Sequence, residues 1–244
     1  MLLCIDCGNT RLKWGLHDGQ QWRAQGVLLP DEIVQLPQLL VSQPSPTGVI
    51  ACNVSSIAIG AAIEAAVATL GVQLVWASSC AEQCGVKNAY DQPAQLGADR
   101  WLALIGARHL HQGSCLVVNA GTATTVDVLD AQGVFQGGLI LPGISLMHAS
   151  LARETARLPL ATGHFSRLPR NTVDAIVSGS LLATTGAVSL MYEHVAADSA
   201  AICLLSGGAA GVLAPLLSMP LRHVDNLVLE GLACVAWQTG AAPE

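Results

Sequence analysis

The chain has 244 residues, of which 52% are apolar and 11% charged, against about 45–50% and 25% in an average globular protein. That composition excludes intrinsic disorder and suits one large domain or two of about 120 residues, folding without disulfides or metals. The net charge is −6, and two lysines (Lys13 and Lys87) with nine scattered arginines form no basic stripe, which argues against a nucleic-acid partner.

The amino terminus, MLLCIDCGNT, lacks the basic start and long apolar run of a signal peptide. It reads as a strand from Leu2 to Ile5, a turn at Asp6-Cys7-Gly8-Asn9-Thr10, a second strand through Leu12, Trp14 and Leu16, and a turn at Asp18-Gly19. Cys4 and Cys7 have CxxC spacing, but on a strand residues three apart face opposite sides, so no metal or redox pair is expected. The remaining cysteines sit mostly in apolar runs and read as small buried hydrophobes of a reducing cytoplasm.

Ile57 to Leu70 is an alanine-rich helix, Gln73 to Trp76 a strand, and Ala98 to His109 a helix with apolar residues at helical spacing. From Cys115 the opening pattern recurs: a strand, Leu116 to Val118; the turn Asn119-Ala120-Gly121-Thr122-Ala123-Thr124-Thr125; a strand, Val126 to Leu129; and a turn near Asp130 to Gly133. Aligning Gly8 with Gly121 gives 121 − 8 = 113 residues, a period that suggests two related lobes (1–112 and 113–244) rather than a solenoid of short units. Thr172 to Tyr192 reads as a long buried helix capped by Asn171 or Thr172. The uncharged stretch from Ser199 to Leu221 is long enough for a membrane span. Five glycines and prolines break it, so it reads as a strand from Ala201 to Leu205, a Ser206-Gly207-Gly208 turn and a short helix, with no membrane partner expected. Leu227 to Trp237 is a final apolar helix. His109, His111, His148 and His164 lack partners at ligand spacing and read as loop or surface residues.

Glycine is abundant, yet no two glycines are two residues apart and neither lysine follows a glycine. GxGxxG and Walker A loops are therefore absent, as are GxSxG and HExxH. The repeated hairpin offers another device. A tight glycine turn flanked by Asn or Thr presents backbone N–H groups and hydroxyls to an anion, and an aspartate just before it suits Mg²⁺. Singly, Gly8 and Gly121 are ordinary hairpin glycines; their repetition favours phosphate.

These residues carry a resemblance. DCGNTRLKWG at the start, GADRW at 97–101, GTATTVD at 121–127 and the glycine pair after the strand near 205 resemble type III pantothenate kinases, of the acetate and sugar kinase, heat-shock ATPase and actin superfamily. The resemblance implies an α/β, duplicated ribonuclease-H-like (actin-like ATPase) fold with a nucleotide cleft between two lobes. It also implies ATP-dependent phosphorylation of pantothenate to 4′-phosphopantothenate, the first step of coenzyme A synthesis. It assigns ATP to Asp6, Cys7, Gly8, Asn9, Thr10, Arg11, Leu12 and Lys13, with Thr122, Gly207 and Gly208, and Mg²⁺ to Asp6. Pantothenate falls to Tyr90, Gly97, Ala98, Asp99, Arg100 and Thr172, with Asp99 as the general base that accepts the substrate's hydroxyl proton. Asp127 is a second acidic candidate facing the phosphates. Many relatives have aspartate where this chain has Asn119, at the site of an activating monovalent cation (K⁺ or NH₄⁺). Asparagine keeps a carbonyl oxygen and loses the charge, so such a site would lean on backbone carbonyls or a partner subunit. A cytoplasmic homodimer is expected. The alternatives are a non-catalytic ATP-binding regulator on the same scaffold, and a kinase of another hydroxy acid or sugar.

Overall fold

The computed structural model describes residues 1–154 and 162–240. They divide into two units, residues 1–112 with 226–240 and residues 113–154 with 162–225. In the first, β1 (Leu2–Cys7), β2 (Leu12–His17) and β3 (Trp22–Leu28) form an antiparallel meander, and β4 (Gly48–Asn53) and β5 (Leu74–Trp76) extend it in parallel, giving the order β3-β2-β1-β4-β5. The antiparallel hairpin β6 (Glu82–Gln83) and β7 (Val86–Asn88) follows. The helices are α1 (Leu36–Leu40), α2 (Ile57–Ala68), α3 (Ala98–Leu110) and, from the far end of the chain, α7 (Leu227–Thr239).

The second unit repeats this plan. Its strands β8 (Cys115–Ala120), β9 (Ala123–Leu129), β10 (Val134–Pro142), β11 (Ile202–Ser206) and β12 (Leu221–His223) run in the order β10-β9-β8-β11-β12. Its helices are α4 (Ile144–Glu154), α5 (Thr172–Tyr192) and α6 (Ala210–Leu213). This is the duplicated ribonuclease-H-like fold, with β1 and β8 at the same offset as the two turns.

Strand alternation decides which residues meet which helices. On β1, Leu3, Ile5 and Cys7 join one core with Leu36 and Leu40 of α1 and Ile63 and Val67 of α2. Leu116, Val118 and Ala120 do the same in the second unit with Leu181 and Val188 of α5. Asp6 therefore lies on the opposite face, the face on which α7 packs against β1.

Residues 226–240 group with the first unit rather than with the segment that begins at residue 113. Two glycines explain this packing. A Cβ at Gly231 of α7 would fall 1.9 Å from the Leu102 carbonyl oxygen, and one at Gly106 of α3 would fall 2.3 Å from that of Leu227. The two helices touch backbone to backbone, and the final helix is committed to α3.

Helix α5 has the expected limits but is only partly buried. Among the described residues it is the one helix long and apolar enough to cross a membrane. Ile176, Ser178, Leu181, Thr184 and Val188 face inward, and the hydroxyls of Thr184 and Thr185 return to the carbonyls of Ser180 and Leu181. Leu182 and Leu190 are exposed.

Candidate active site

Asp6 is 9% exposed near the end of β1, one residue before the turn. Sheet register gives it two cross-strand neighbours, Lys13 on β2 and Cys52 on β4. The Cys52 thiol donates to Asp6 Oδ1 at 3.5 Å. Burial pushes the Asp6 carboxyl up to about 6, with Lys13 pulling it down, the negative charge of Asp99 pushing it further up, and the Cys52 hydrogen bond lowering it. The turn is closed by the Gly8 amide donating to the Arg11 carbonyl at 3.1 Å, with Asn9, Thr10 and Arg11 exposed at its tip. Cys7 and Leu12 also belong to the segment assigned to ATP, but their side chains are core. They can offer a ligand only their backbones.

Gly97 is the N-cap of α3, Ala98 its first residue, and Asp99 sits half-buried in the first turn. The Arg100 amide donates to Asp99 Oδ1 at 2.8 Å. Gly97 is shaped around this carboxylate, since a Cβ there would lie 2.7 Å from Oδ1. Arg100 is buried, donates from Nη1 to the Tyr90 hydroxyl at 3.0 Å, and places its guanidinium 5.7 Å from the Tyr90 ring centroid. Tyr90 owes its place to Asn88, a residue the motifs did not point to. The Asn88 Oδ1 accepts from the Tyr90 amide at 3.1 Å, while Nδ2 donates to the carbonyls of Cys80 and Pro93. Cys52 was missed as well; its only signal is the register of β4.

In the second unit the equivalent row is Thr125, Asn119 and Ser206. The turn is again closed through its glycine, the Gly121 amide donating to the Ala123 carbonyl at 2.9 Å and leaving Thr122 exposed. Gly207 has φ +97°, and a Cβ there would fall 2.5 Å from the Ala120 carbonyl oxygen. Only glycine fits that position, and Gly208 follows it exposed. Asp127 is 1% exposed in mid-strand, opposite Val117 and Gly138, so it stands back from the turn. Asn171 is the cap of α5, its Oδ1 accepting from the Asp174 amide at 2.9 Å, and Thr172 is the first helical residue. Thr172 lines a groove of about 850 Å³ with Leu146 and Met147 of α4 and Ile176 and Gly179 of α5. His148, expected in a loop or on the surface, lies on α4 with Nε2 2.8 Å from the buried Ser180 hydroxyl. Eight cysteines are free, Cys4 and Cys7 among them.

Two ribonuclease-H-like units in tandem, each opening on a glycine-turn hairpin, give the chain the actin-like ATPase fold. At 12–19% identity, solved structures share this fold: a Baf family protein from Campylobacter jejuni (19% identical, TM-score 0.65, 98% of each chain) and component A of (R)-2-hydroxyglutaryl-CoA dehydratase from Acidaminococcus fermentans (12%, TM-score 0.54, 99% of each chain). Sequence narrows the class. Residues 2–194 match the type III pantothenate kinase family. The chain is 54% identical over 242 residues to the type III pantothenate kinase of Aromatoleum aromaticum, covering 99% of this chain and 100% of that one. It is 49% identical to that of Azoarcus sp., covering 97% and 90%. The chain belongs to the type III pantothenate kinase family.

Proposed function

We propose that this chain transfers the γ-phosphoryl group of ATP to the primary hydroxyl of pantothenate, forming 4′-phosphopantothenate and ADP, with Asp99 as the base. The observation that carries this reading is the start of α3. There a carboxylate is held by the Arg100 amide, cleared of obstruction by Gly97, and followed by the buried Arg100 with its half-buried partner Tyr90.

The attacking hydroxyl must lose a proton as the new O–P bond forms, and an oriented carboxylate within hydrogen-bond reach accepts it. Most of the remaining acceleration in phosphoryl transfer is positioning and charge stabilisation. The Arg100 guanidinium, steadied by Tyr90, suits the carboxylate of pantothenate by a fixed fork of donors, and the Thr172 hydroxyl suits one of its polar groups. The turn from Asp6 to Lys13 offers ATP its backbone amides, the Thr10 hydroxyl and the Lys13 ammonium, while Thr122, Gly207 and Gly208 serve the nucleotide in the second unit.

Burial and the charge of Asp99 both work against the Asp6 carboxylate, and the Lys13 ammonium opposes them. A cation beside it would offset that cost, and Asp6 is the residue that would hold Mg²⁺, directly or through water. Bound there, the ion neutralises charge on the phosphate oxygens. Asn119 offers a monovalent cation an amide oxygen rather than a carboxylate, and the buried Asp127 is the nearest acidic alternative along that hairpin. Dimerisation suits α5, whose exposed Leu182 and Leu190 and adjoining apolar groove await cover. Free cysteines suit a cytoplasmic setting.

The test is ADP release from Mg-ATP with and without pantothenate, in potassium and in sodium, for the wild type and Asp99→Asn. Pantothenate-dependent turnover that falls about 10²–10⁴-fold in the variant supports the assignment. ATP binding without such turnover would instead favour a regulator, and turnover with another hydroxy acid or sugar a different kinase.

A further inference from the structure

The Cys52 thiol is a polar group on β4, between two parallel neighbour strands and fully buried, with no task in the proposed mechanism. Its neighbours define one. β4 pairs with β1 so that Cys52 lies beside Asp6, and β2 pairs with the other edge of β1 so that Lys13 lies on the opposite side. Adjacent strands are about 4.8 Å apart, so a short side chain at the Cys52 position reaches the Asp6 carboxylate without leaving the sheet. The 3.5 Å bond from Cys52 Sγ to Oδ1 is that contact. A neutral thiol is a weak donor, but a carboxylate acceptor and a low local dielectric strengthen the bond.

We infer that Cys52 is a positioning residue for Asp6: its thiol anchors Oδ1 and fixes the carboxylate's rotation, reserving Oδ2 for the cation that accompanies ATP. The inference rests on the reading of Asp6 as the metal-binding carboxylate. Without the thiol, the carboxylate turns about its Cβ–Cγ bond, with Lys13 alone among its cross-strand neighbours to orient it, and it binds the cation less well. The second unit shows which substitution this register tolerates. The residue equivalent to Cys52 is Ser206, beside Asn119, and its hydroxyl donates instead to the Asp225 carbonyl at 3.3 Å. Serine fits such a position and keeps a donor, which makes Cys52→Ser the conservative variant and Cys52→Ala the deletion.

The experiment uses the purified full chain with three variants, Cys52→Ala, Cys52→Ser and Asp6→Asn. The first readout needs no ligand. The infrared S–H stretch of Cys52, isolated as wild type minus Cys52→Ala or minus Cys52→Ser, moves to higher frequency in Asp6→Asn, because an amide oxygen is a weaker acceptor than a carboxylate. The second is the Mg²⁺ dependence of ATP binding. The half-saturating Mg²⁺ rises about tenfold in Cys52→Ala, as loss of one hydrogen bond to a charged group predicts. It stays within about twofold in Cys52→Ser, and the KM for pantothenate is unchanged in both. An S–H band indifferent to Asp6→Asn overturns the inference, as does Mg²⁺ dependence in Cys52→Ala equal to wild type while Asp6→Asn loses it. If Asp6→Asn itself binds Mg-ATP normally, the reading of Asp6 fails, and the inference falls with it.

Discussion

Replacing Gly97 by alanine separates the chemistry from the fold. The glycine has φ −56° and ψ 138°, a region open to alanine, so the backbone need not change. A new Cβ would stand 2.7 Å from Asp99 Oδ1, where heavy atoms settle at about 3.5 Å. The carboxylate oxygen must therefore move by about 0.8 Å, and it is the same oxygen that the Arg100 amide holds. A misplacement of about 1 Å at a reacting group can cost 10²-fold, so kcat should fall about 30- to 100-fold. Stability should barely change. Alanine is a poorer cap than glycine, by up to about 1 kcal/mol, and restricts the unfolded chain by about 0.4–1 kcal/mol in the other direction. A coupled assay of ADP release at saturating pantothenate and Mg-ATP, run beside thermal melting, tests both halves. Wild-type kcat would refute the reasoning, and so would a loss of activity accompanied by a drop in Tm beyond about 3 °C, the shift that 1 kcal/mol produces in a chain of this size.

The other expectations follow from single contacts. Tyr90→Phe keeps the ring under the guanidinium but loses the 3.0 Å bond to Arg100; the KM for pantothenate should rise about tenfold with kcat little changed, and an unchanged KM would remove Tyr90 from the substrate site. Gly231→Ala should cost at least about 3 kcal/mol, because the atom met at 1.9 Å is backbone rather than a movable side chain; a Tm within 2–3 °C of wild type would show that α3 and α7 can separate cheaply. Asp6 yields a pH dependence. Its carboxyl sits at about 6 in the fold against an ordinary 3.8, so the metal-free fold is favoured by the proton below 3.8 and loses that advantage as pH rises through 6. Melting of metal-free Asp6→Asn should exceed that of wild type by a margin that widens over this window, up to about 3 kcal/mol, and then levels; a constant margin would mean that the carboxyl is not shifted.

The parts of the fold legible in the sequence were those with a local signal. The two hairpins announce themselves by alternating apolar residues around a glycine turn, and α5 by a cap followed by a long apolar run. The strands β3 and β10 were missed: Trp22-Arg23-Ala24-Gln25 alternates around charged and polar residues, and the Gly137-Gly138 pair interrupts the other run. What ties α7 to α3 is written at Gly106 and Gly231, 125 residues apart, and no local window connects them. The site divides in the same way. Asp99 and its glycine are two residues apart in sequence and readable as a motif. Asn88 sets Tyr90 through a local turn that no motif marks, and Cys52 touches Asp6 only through the register of β4 on β1.

Duplication explains why one unit would carry the acid chemistry and the other would not. The same sheet position holds Asp6 in one copy and Asn119 in the other, and each is flanked by a donor on the parallel strand, Cys52 or Ser206, and a polar residue on the antiparallel one, Lys13 or Thr125. In the first copy these neighbours surround a charge: an ammonium and a thiol face a carboxylate. In the second every group is neutral, and the serine turns to the Asp225 carbonyl. A neutral row costs little to bury, whereas a buried carboxylate is tolerated only with partners. Asn119→Asp would therefore add a charge to a row that lacks the ammonium of the first copy. The added carboxylate should lower stability without a cation and recover it in potassium, a salt-specific rise in Tm absent from the wild type.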